Sequence, residues 1–269
     1  MPTRAFRIAY DGRPFHGFQR QPDVPTVEGA LFDALRDLGA LDADAPKPTG
    51  YAAAGRTDAG VSALAQTVAF DCPAWCLPRA LNSALPADVR AWASAAVPAD
   101  FHATHDAVRR GYAYHLYAPE IDDDRARAAL DALCGEHDFH NLTPDHENTV
   151  RDLSGSVERD GAFLVVRVES GGFARELVRR LVSLVRAVAA GEADLAKVDR
   201  VLGPDPIDGP EGVAPAPPTP LVLTRVEYPD VSFDVDADAA GSARAVFDDR
   251  YVAGRVAARV ADEIRRGVR

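Results

Sequence analysis

Lysine is almost missing from this sequence. Of 30 basic residues only Lys47 and Lys197 are lysines, so nearly every cation is a guanidinium. Positive charge as a whole is short as well: 41 Asp and Glu give a net charge of −11. That balance argues against a protein coated with nucleic-acid-binding charge, although a local arginine stripe can coexist with an acidic remainder. Cysteine is scarce. Cys72, Cys76 and Cys134 do not make a disulfide framework. No apolar run approaches the ~18 residues of a membrane helix. The opening MPTRAFRIAYDG lacks the apolar middle of a secretory leader. The expectation is a cytoplasmic protein with no membrane partner.

What is present is aspartate, alanine and valine. Many carboxylates keep a protein soluble where salt screens their mutual repulsion. The composition therefore suits a salt-rich cytosol, and activity is expected to need molar salt. At 269 residues and 47% hydrophobic, the chain can bury one large core or two smaller ones.

Periodicity divides the chain into two stretches of similar grammar. Alternation predicts a strand over Ala5–Ala9, ended by Asp11-Gly12. Thr26 is placed to cap a helix from Val27 to about Leu38, with Val27, Leu31, Ala34, Leu35 and Leu38 on one face. A strand is expected before residue 54, then Gln66–Asp71, a short helix at Pro78–Ser83 and a strand over Asp88–Ala96. The second stretch predicts a strand at Gly111–Ala118 and a helix at Asp122–Cys134. Two strands, Val150–Arg159 and Ala162–Glu169, turn at Asp160-Gly161. A strongly apolar helix follows over Arg175–Ala189, stopped by Gly191. Gly203–Pro220 reads as a loop, Leu221–Tyr228 as a strand and Ser242–Arg266 as a helix. Two α+β halves follow, 1–104 and 105–230, with an appended 231–269.

Four segments carry candidate chemistry. In AGRTDAGVS, Asp58 has the side chain of a nucleophile or base, Arg56 that of a phosphate or carboxylate partner, and the glycines permit close approach. The same residues suit a tight turn in which Asp58 satisfies local N–H groups. DGRPFHGFQRQ interleaves Arg13 and Arg20 with Phe15, His16 and Phe18, the mixture that single-stranded nucleic acid favours; its rings equally suit a core plug. In RRGYAYHLY, Tyr112 and Tyr114 share one strand face, just after Arg109 and Arg110. In the helix ESGGFARELVRRLVS, Arg179 falls beside the apolar stripe, where a partly buried guanidinium needs a carboxylate or phosphate. A competing set, Cys134, His137, His140 and His146, has zinc-ligand types at a spacing that matches no common zinc module.

Taken in order, these segments resemble the tRNA pseudouridine synthase A family from about Ala5 to Pro229. The blocks are YDGRPFHGFQRQ, TVEGALFDAL, AGRTDAGVSA, LNSALPADV, DFHA, RGYAY, LCGEHDF, GGFARELVRRLVS and APAPPTPLVL. The resemblance implies two ferredoxin-like α+β halves sharing a central, mostly antiparallel sheet, with helices packed on one side and an RNA-binding cleft. It implies isomerisation of uridine to pseudouridine in the anticodon stem-loop of tRNA, at positions 38, 39 and/or 40. It further implies a homodimer that uses no cofactor and no metal. Asp58 falls on the family's catalytic aspartate. Tyr112 falls on the tyrosine that packs on the flipped base and helps remove its C5 proton, and Arg179 on the arginine that pairs with the aspartate. Arg56 is expected in RNA positioning, and Arg13, Phe18, Arg20 and Arg110 in RNA binding, with Arg109 and Arg175 as further basic candidates for the cleft. The chain departs from the family at Phe18 (usually tryptophan), Thr104 (often arginine), Leu177, Ser183 and Thr219-Pro220. The helix beyond about Val231 lies outside the resemblance. Two other classes use the same residues: an RNA-binding protein without turnover, and a zinc-dependent RNA-binding or hydrolytic protein.

Overall fold

Two units built on a βαββαβ plan, the second with one added strand and one added helix, lie side by side in the computed structural model, which describes residues 1–207 and 209–268. The first unit runs β1 (Thr3–Tyr10), α1 (Val27–Asp37), β2 (Ala52–Ala53), β3 (Ser62–Asp71), α2 (Pro78–Asn82) and β4 (Val89–Ala96). The second runs β5 (Arg109–Tyr117), α3 (Asp123–Leu133), β6 (Gly135–Asp138), β7 (Val150–Asp160), β8 (Phe163–Ser170), α4 (Leu177–Ala189), α5 (Leu195–Leu202) and β9 (Leu221–Glu227). The chain closes with β10 (Asp234–Val235) and α6 (Ala237–Gly267). All the strands join in one sheet, in the order β10-β4-β1-β3-β9-β5-β8-β7-β6, with β2 paired to β3. The first unit reads β4-β1-β3-β2 and the second β9-β5-β8-β7, the same ferredoxin-like order twice. Every pairing is antiparallel except β3 with β9, which joins the units through Ser62↔Val222 and Ala63↔Leu223.

Local signals explain the helices. The Thr26 side chain accepts from Gly29 N at 3.1 Å and starts α1, which buries Leu31, Phe32 and Leu35. Asp122 caps α3 by accepting from Asp124 N and Arg125 N, and Asp123 and Asp124 add negative charge to its first turn. α4 buries Leu177, Leu181, Leu184 and Val185 along one stripe. It begins at Leu177 rather than Arg175, because Glu176 takes a left-handed conformation at φ 60° and ends the preceding loop. α5 was not expected; its signal is Asp194, whose side chain accepts from Lys197 N.

α1 to α5 cover one face. Phe6, Ile8, Phe70, Leu31, Leu35 and Leu81 pack under the first unit, and Leu130, Phe139, Leu164, Leu181 and Val185 under the second. Tyr112 touches both clusters and so marks their seam. α6 departs from the expectation of helices on one side. It lies against the opposite face, where Leu64, Trp92, Phe163 and Val222 of the strands point towards Phe247 and Tyr251 of the helix. The physical reason is that α1–α5 already fill the first face, and the one long helix left over takes the other. No helix among the described residues is long and apolar enough to cross a membrane.

Candidate active site

The segment Ala54–Val61 connects β2 to β3 where the outer edge of β3 changes partner. β2 pairs with Val68 and Ala69 at one end of that edge, and β9 with Ser62 and Ala63 at the other. A chain leaving β2 must swing out of the sheet to make room for β9, and the swing carries Asp58. In the second unit the equivalent connection is the tight turn between β7 and β8 at Gly161, where φ is 56°. The Asp58 turn is closed by Val61 N donating to Asp58 O at 3.1 Å. Gly60 sits at φ 80°, and a Cβ there would lie 3.1 Å from Pro218 Cγ, so glycine is required for both reasons.

The loop Gly12–Phe18 holds this turn from beneath. Phe18 N donates to Thr57 O at 3.0 Å, and Gly60 N donates to Phe15 O at 3.3 Å. A Cβ on Gly12 would sit 2.1 Å from the Val61 carbonyl oxygen. The two loops therefore touch backbone to backbone. Phe18, expected as a stacking platform for RNA, is only 1% exposed, and its ring lies 6.3 Å from that of Tyr10. The Tyr10 hydroxyl shares a 2.8 Å hydrogen bond with Thr57 Oγ1. The correction follows from burial: an aromatic ring next to a glycine-lined backbone contact fills the space under it. Gln66 Nε2 completes the support by donating to Gly55 O at 2.8 Å.

Asp58 faces α4. Arg179 Nη1 donates to Asp58 Oδ2 at 3.2 Å while Arg179 Nε donates to Ala216 O at 2.7 Å. Ala216 N donates back to Arg179 O at 3.1 Å, fastening the Pro-rich 213–218 segment to the helix. The Arg179 side chain is 14% exposed and Asp58 32%. The cation is thus held from both sides, and the carboxylate is directed yet open to a substrate. A buried fork of this kind favours a fixed carboxylate geometry.

Tyr112 stands next to this pair. Its ring meets Phe173 edge-on at 5.1 Å. Burial pushes its phenol up to about 12, the Asp58 carboxylate adds to the shift, and Arg110 opposes it. At neutral pH the phenol is a hydrogen-bond donor, not a phenolate. Tyr114, on the same strand face, is buried in the second cluster.

The basic residues divide into several roles. Arg110 was expected to bind RNA. Its guanidinium instead donates to backbone carbonyls: Ala54 O from Nε and Nη2 at 3.0 and 2.8 Å, Thr104 O at 2.7 Å, and Gly171 O. It ties the start of the Asp58 loop, the connection between the two units and the loop carrying Phe173. With its donors spent on carbonyls, it has little left for phosphates. Arg13 donates to both oxygens of Asp11. Arg20 is exposed and donates to Pro46 O. Arg109 pairs with Glu169 and Arg175 with Asp145. Arg56 is exposed beside Asp58, with no side-chain partner among the described residues. Among the described residues no group of three or more His, Cys, Asp or Glu converges, so Cys134, His137, His140 and His146 do not form a metal cage; His137 Nε2 bonds Cys134 O instead. Sequence reading missed Gln66, Phe173 and Ala216. Only the fold brings them to Gly55, Tyr112 and Arg179 respectively, and none carries a local signal.

A family model described as tRNA pseudouridine synthase matches residues 129–229. Three proteins named tRNA pseudouridine synthase A are similar to nearly the whole chain. That of Haloarcula marismortui is 60% identical over 274 residues, covering 98% of this chain and 100% of its own length. That of Halobacterium salinarum is 59% identical over 268 residues, with 97% and 99% covered. That of Natronomonas pharaonis is 61% identical over 260 residues, with 96% and 97% covered.

Proposed function

The chain belongs to the tRNA pseudouridine synthase A family, and we propose that Asp58 is the residue through which it isomerises uridine to pseudouridine in tRNA. The target is the anticodon stem-loop, at one or more of positions 38, 39 and 40. The enzyme acts in a salt-rich cytoplasm as a homodimer, with 1–104 and 105–230 as its two halves and 231–269 appended.

The observation that carries this reading is the 3.2 Å pair between Arg179 and Asp58, at the seam of the two units and beside Tyr112. The reaction breaks the bond from ribose C1′ to uracil N1 and forms one from C1′ to C5. The C5 hydrogen leaves as a proton and N1 ends protonated, so no atom is gained or lost and no electron acceptor is required. One carboxylate can serve by adding to the base, by adding to the sugar or by taking a sugar proton. Arg179 engages one oxygen of Asp58 and leaves the other for the substrate. The uracil must leave its stack to reach it. Tyr112 offers a ring to pack against and a neutral O–H to donate, and Arg56 is free to meet the backbone phosphates.

The test uses tRNA transcripts tritiated at uracil C5, with wild type and Asp58→Ala in high salt. Wild type releases tritium, and the variant binds tRNA with similar affinity and releases none. Appreciable release by Asp58→Ala would refute the assignment. Binding without release by either protein would make the chain a non-catalytic RNA binder.

A further inference from the structure

Two hydroxyls are buried beneath the Asp58 loop, and the bond changes described above use neither. Tyr10 is 1% exposed and Thr57 6%, and their hydroxyls share a 2.8 Å hydrogen bond. Tyr10 ends β1 and, with Phe6 and Ile8, faces the core under the first unit. The register between β1 and β3 shifts just there: Ile8 faces Gln66, but Tyr10 faces Ala63. A bulge of this kind re-aims the side chain beside it. Burial raises the Tyr10 phenol well above its ordinary value, so it stays a neutral hydroxyl at any working pH.

Stability alone does not account for the pair. A hydrogen bond inside an apolar core adds little net free energy, and phenylalanine opposite valine would fill similar space with no polar group to satisfy. What the bond adds is direction. Thr57 is the residue through which direction can reach the carboxylate. Burial alternates along the loop: Arg56 is exposed, Thr57 buried and Asp58 partly open. With Thr57 anchored inwards, its two neighbours are left facing out. The Thr57 carbonyl also accepts from Phe18 N at 3.0 Å. On either side, Gly55 O accepts from Gln66 Nε2 at 2.8 Å and Asp58 O from Val61 N at 3.1 Å. These bonds hold backbone carbonyls. The Tyr10 bond holds a side chain, one residue from the carboxylate that Arg179 holds from the α4 side.

We infer that Tyr10 is a positioning residue for the isomerisation: through Thr57 it sets the direction of the Asp58 carboxylate, and it takes no part in bond making. The inference rests on the reading of Asp58 as the catalytic residue. Arg179 limits where the carboxylate can swing, and the Tyr10–Thr57 bond fixes the backbone from which it springs. Misplacing a reacting group by about 1 Å can cost on the order of 100-fold in rate. A bond that adds little stability can therefore matter more to turnover.

The test is single-turnover tritium release in high salt at saturating enzyme, with the tRNA dissociation constant and melting temperature of each protein. The proteins are wild type, Tyr10→Phe, Thr57→Val, Thr57→Ser, the double variant Tyr10→Phe/Thr57→Val, and Asp58→Ala. Tyr10→Phe and Thr57→Val each slow turnover by about 10- to 30-fold and leave tRNA affinity within about threefold. Thr57→Ser, which keeps the hydroxyl, is about tenfold faster than Thr57→Val. The double variant melts higher than Thr57→Val, because no buried phenol is left unpaired. Yet it stays as slow as the single variants, since all three lose the same bond. A merely structural role would instead return rate and melting temperature together. Tyr10→Phe removes one oxygen and carries the test if Thr57→Val does not fold. Tyr10→Phe within about threefold of the wild-type rate, beside a silent Asp58→Ala, would overturn this inference alone. A double variant that regains the wild-type rate, or Thr57→Ser as slow as Thr57→Val, would also overturn it. Tritium release by Asp58→Ala would overturn the reading of Asp58 and this inference with it.

Discussion

Replacing Arg179 with glutamine removes the charge behind Asp58 and leaves the rest of α4 in place. The magnitude follows from the geometry. At 3.2 Å, two unit charges attract by roughly 1 kcal/mol in bulk water and roughly 5 kcal/mol at an effective dielectric of about 20. Asp58 is 32% exposed, so water recovers part of this when the cation is removed. A net loss of about 2 kcal/mol in holding the carboxylate at its working angle corresponds to about a 30-fold slower chemical step. Arg179→Lys keeps the charge, but a single ammonium cannot span both Asp58 and Ala216 O as the fork does; about a 5- to 10-fold loss is expected. The assay is single-turnover tritium release at saturating enzyme, set beside the tRNA dissociation constant from filter binding. A positioning arginine lowers the rate and leaves binding within about threefold. The reasoning fails if Arg179→Gln turns over within about threefold of wild type. It fails equally if affinity falls as far as the rate, since Arg179 would then be an RNA contact.

Other outcomes follow from the same geometry. Tyr112→Phe should slow single turnover about tenfold, the worth of one hydrogen bond. Because the phenol is pushed up to about 12, it stays protonated below that pH, and the wild-type rate should show no basic limb from Tyr112 between pH 6 and about 10. Gly12→Ala must move either its own loop or Val61; a loss of about 2–3 kcal/mol is expected in chemical denaturation. Gly55→Ala, where a Cβ meets nothing within 4 Å, should change stability by less than about 0.5 kcal/mol. Arg110→Gln leaves carbonyls of three segments short of donors and should lower the melting temperature by several degrees. Arg56→Gln should leave melting unchanged and weaken tRNA binding; the reverse pattern for the two arginines would refute their assignment.

Much of the architecture is legible along the chain because it rests on neighbours. The stripe Leu177–Leu184–Val188 writes α4, Thr26 writes the start of α1, and Asp160-Gly161 writes the β7–β8 turn. These are signals of period and capping, which act over one or two turns. Residues whose roles depend on distant partners are not legible in that way. Nothing in RRGYAY says that Arg110 will spend its donors on Ala54, Thr104 and Gly171, which lie 56, 6 and 61 residues away. Nothing around Phe18 separates a stacking ring from a buried one, since both need the same side chain.

The sequence by itself determined the acidic, lysine-poor composition, the two α+β units, and the pattern AGRTDAGVS with one carboxylate between glycines. Each of these depends on residue type and short-range order. The tertiary structure decided which residues meet. It exchanged β2 for β9 along the edge of β3 and so lifted Asp58 out of the sheet. It brought Arg179 to Asp58 across 121 residues of chain. It turned Arg110 inwards, and it sent α6 to the back of the sheet with half its length uncovered. Contacts of that range depend on which face of the sheet is still open when each element packs, and no local stretch of sequence carries that information.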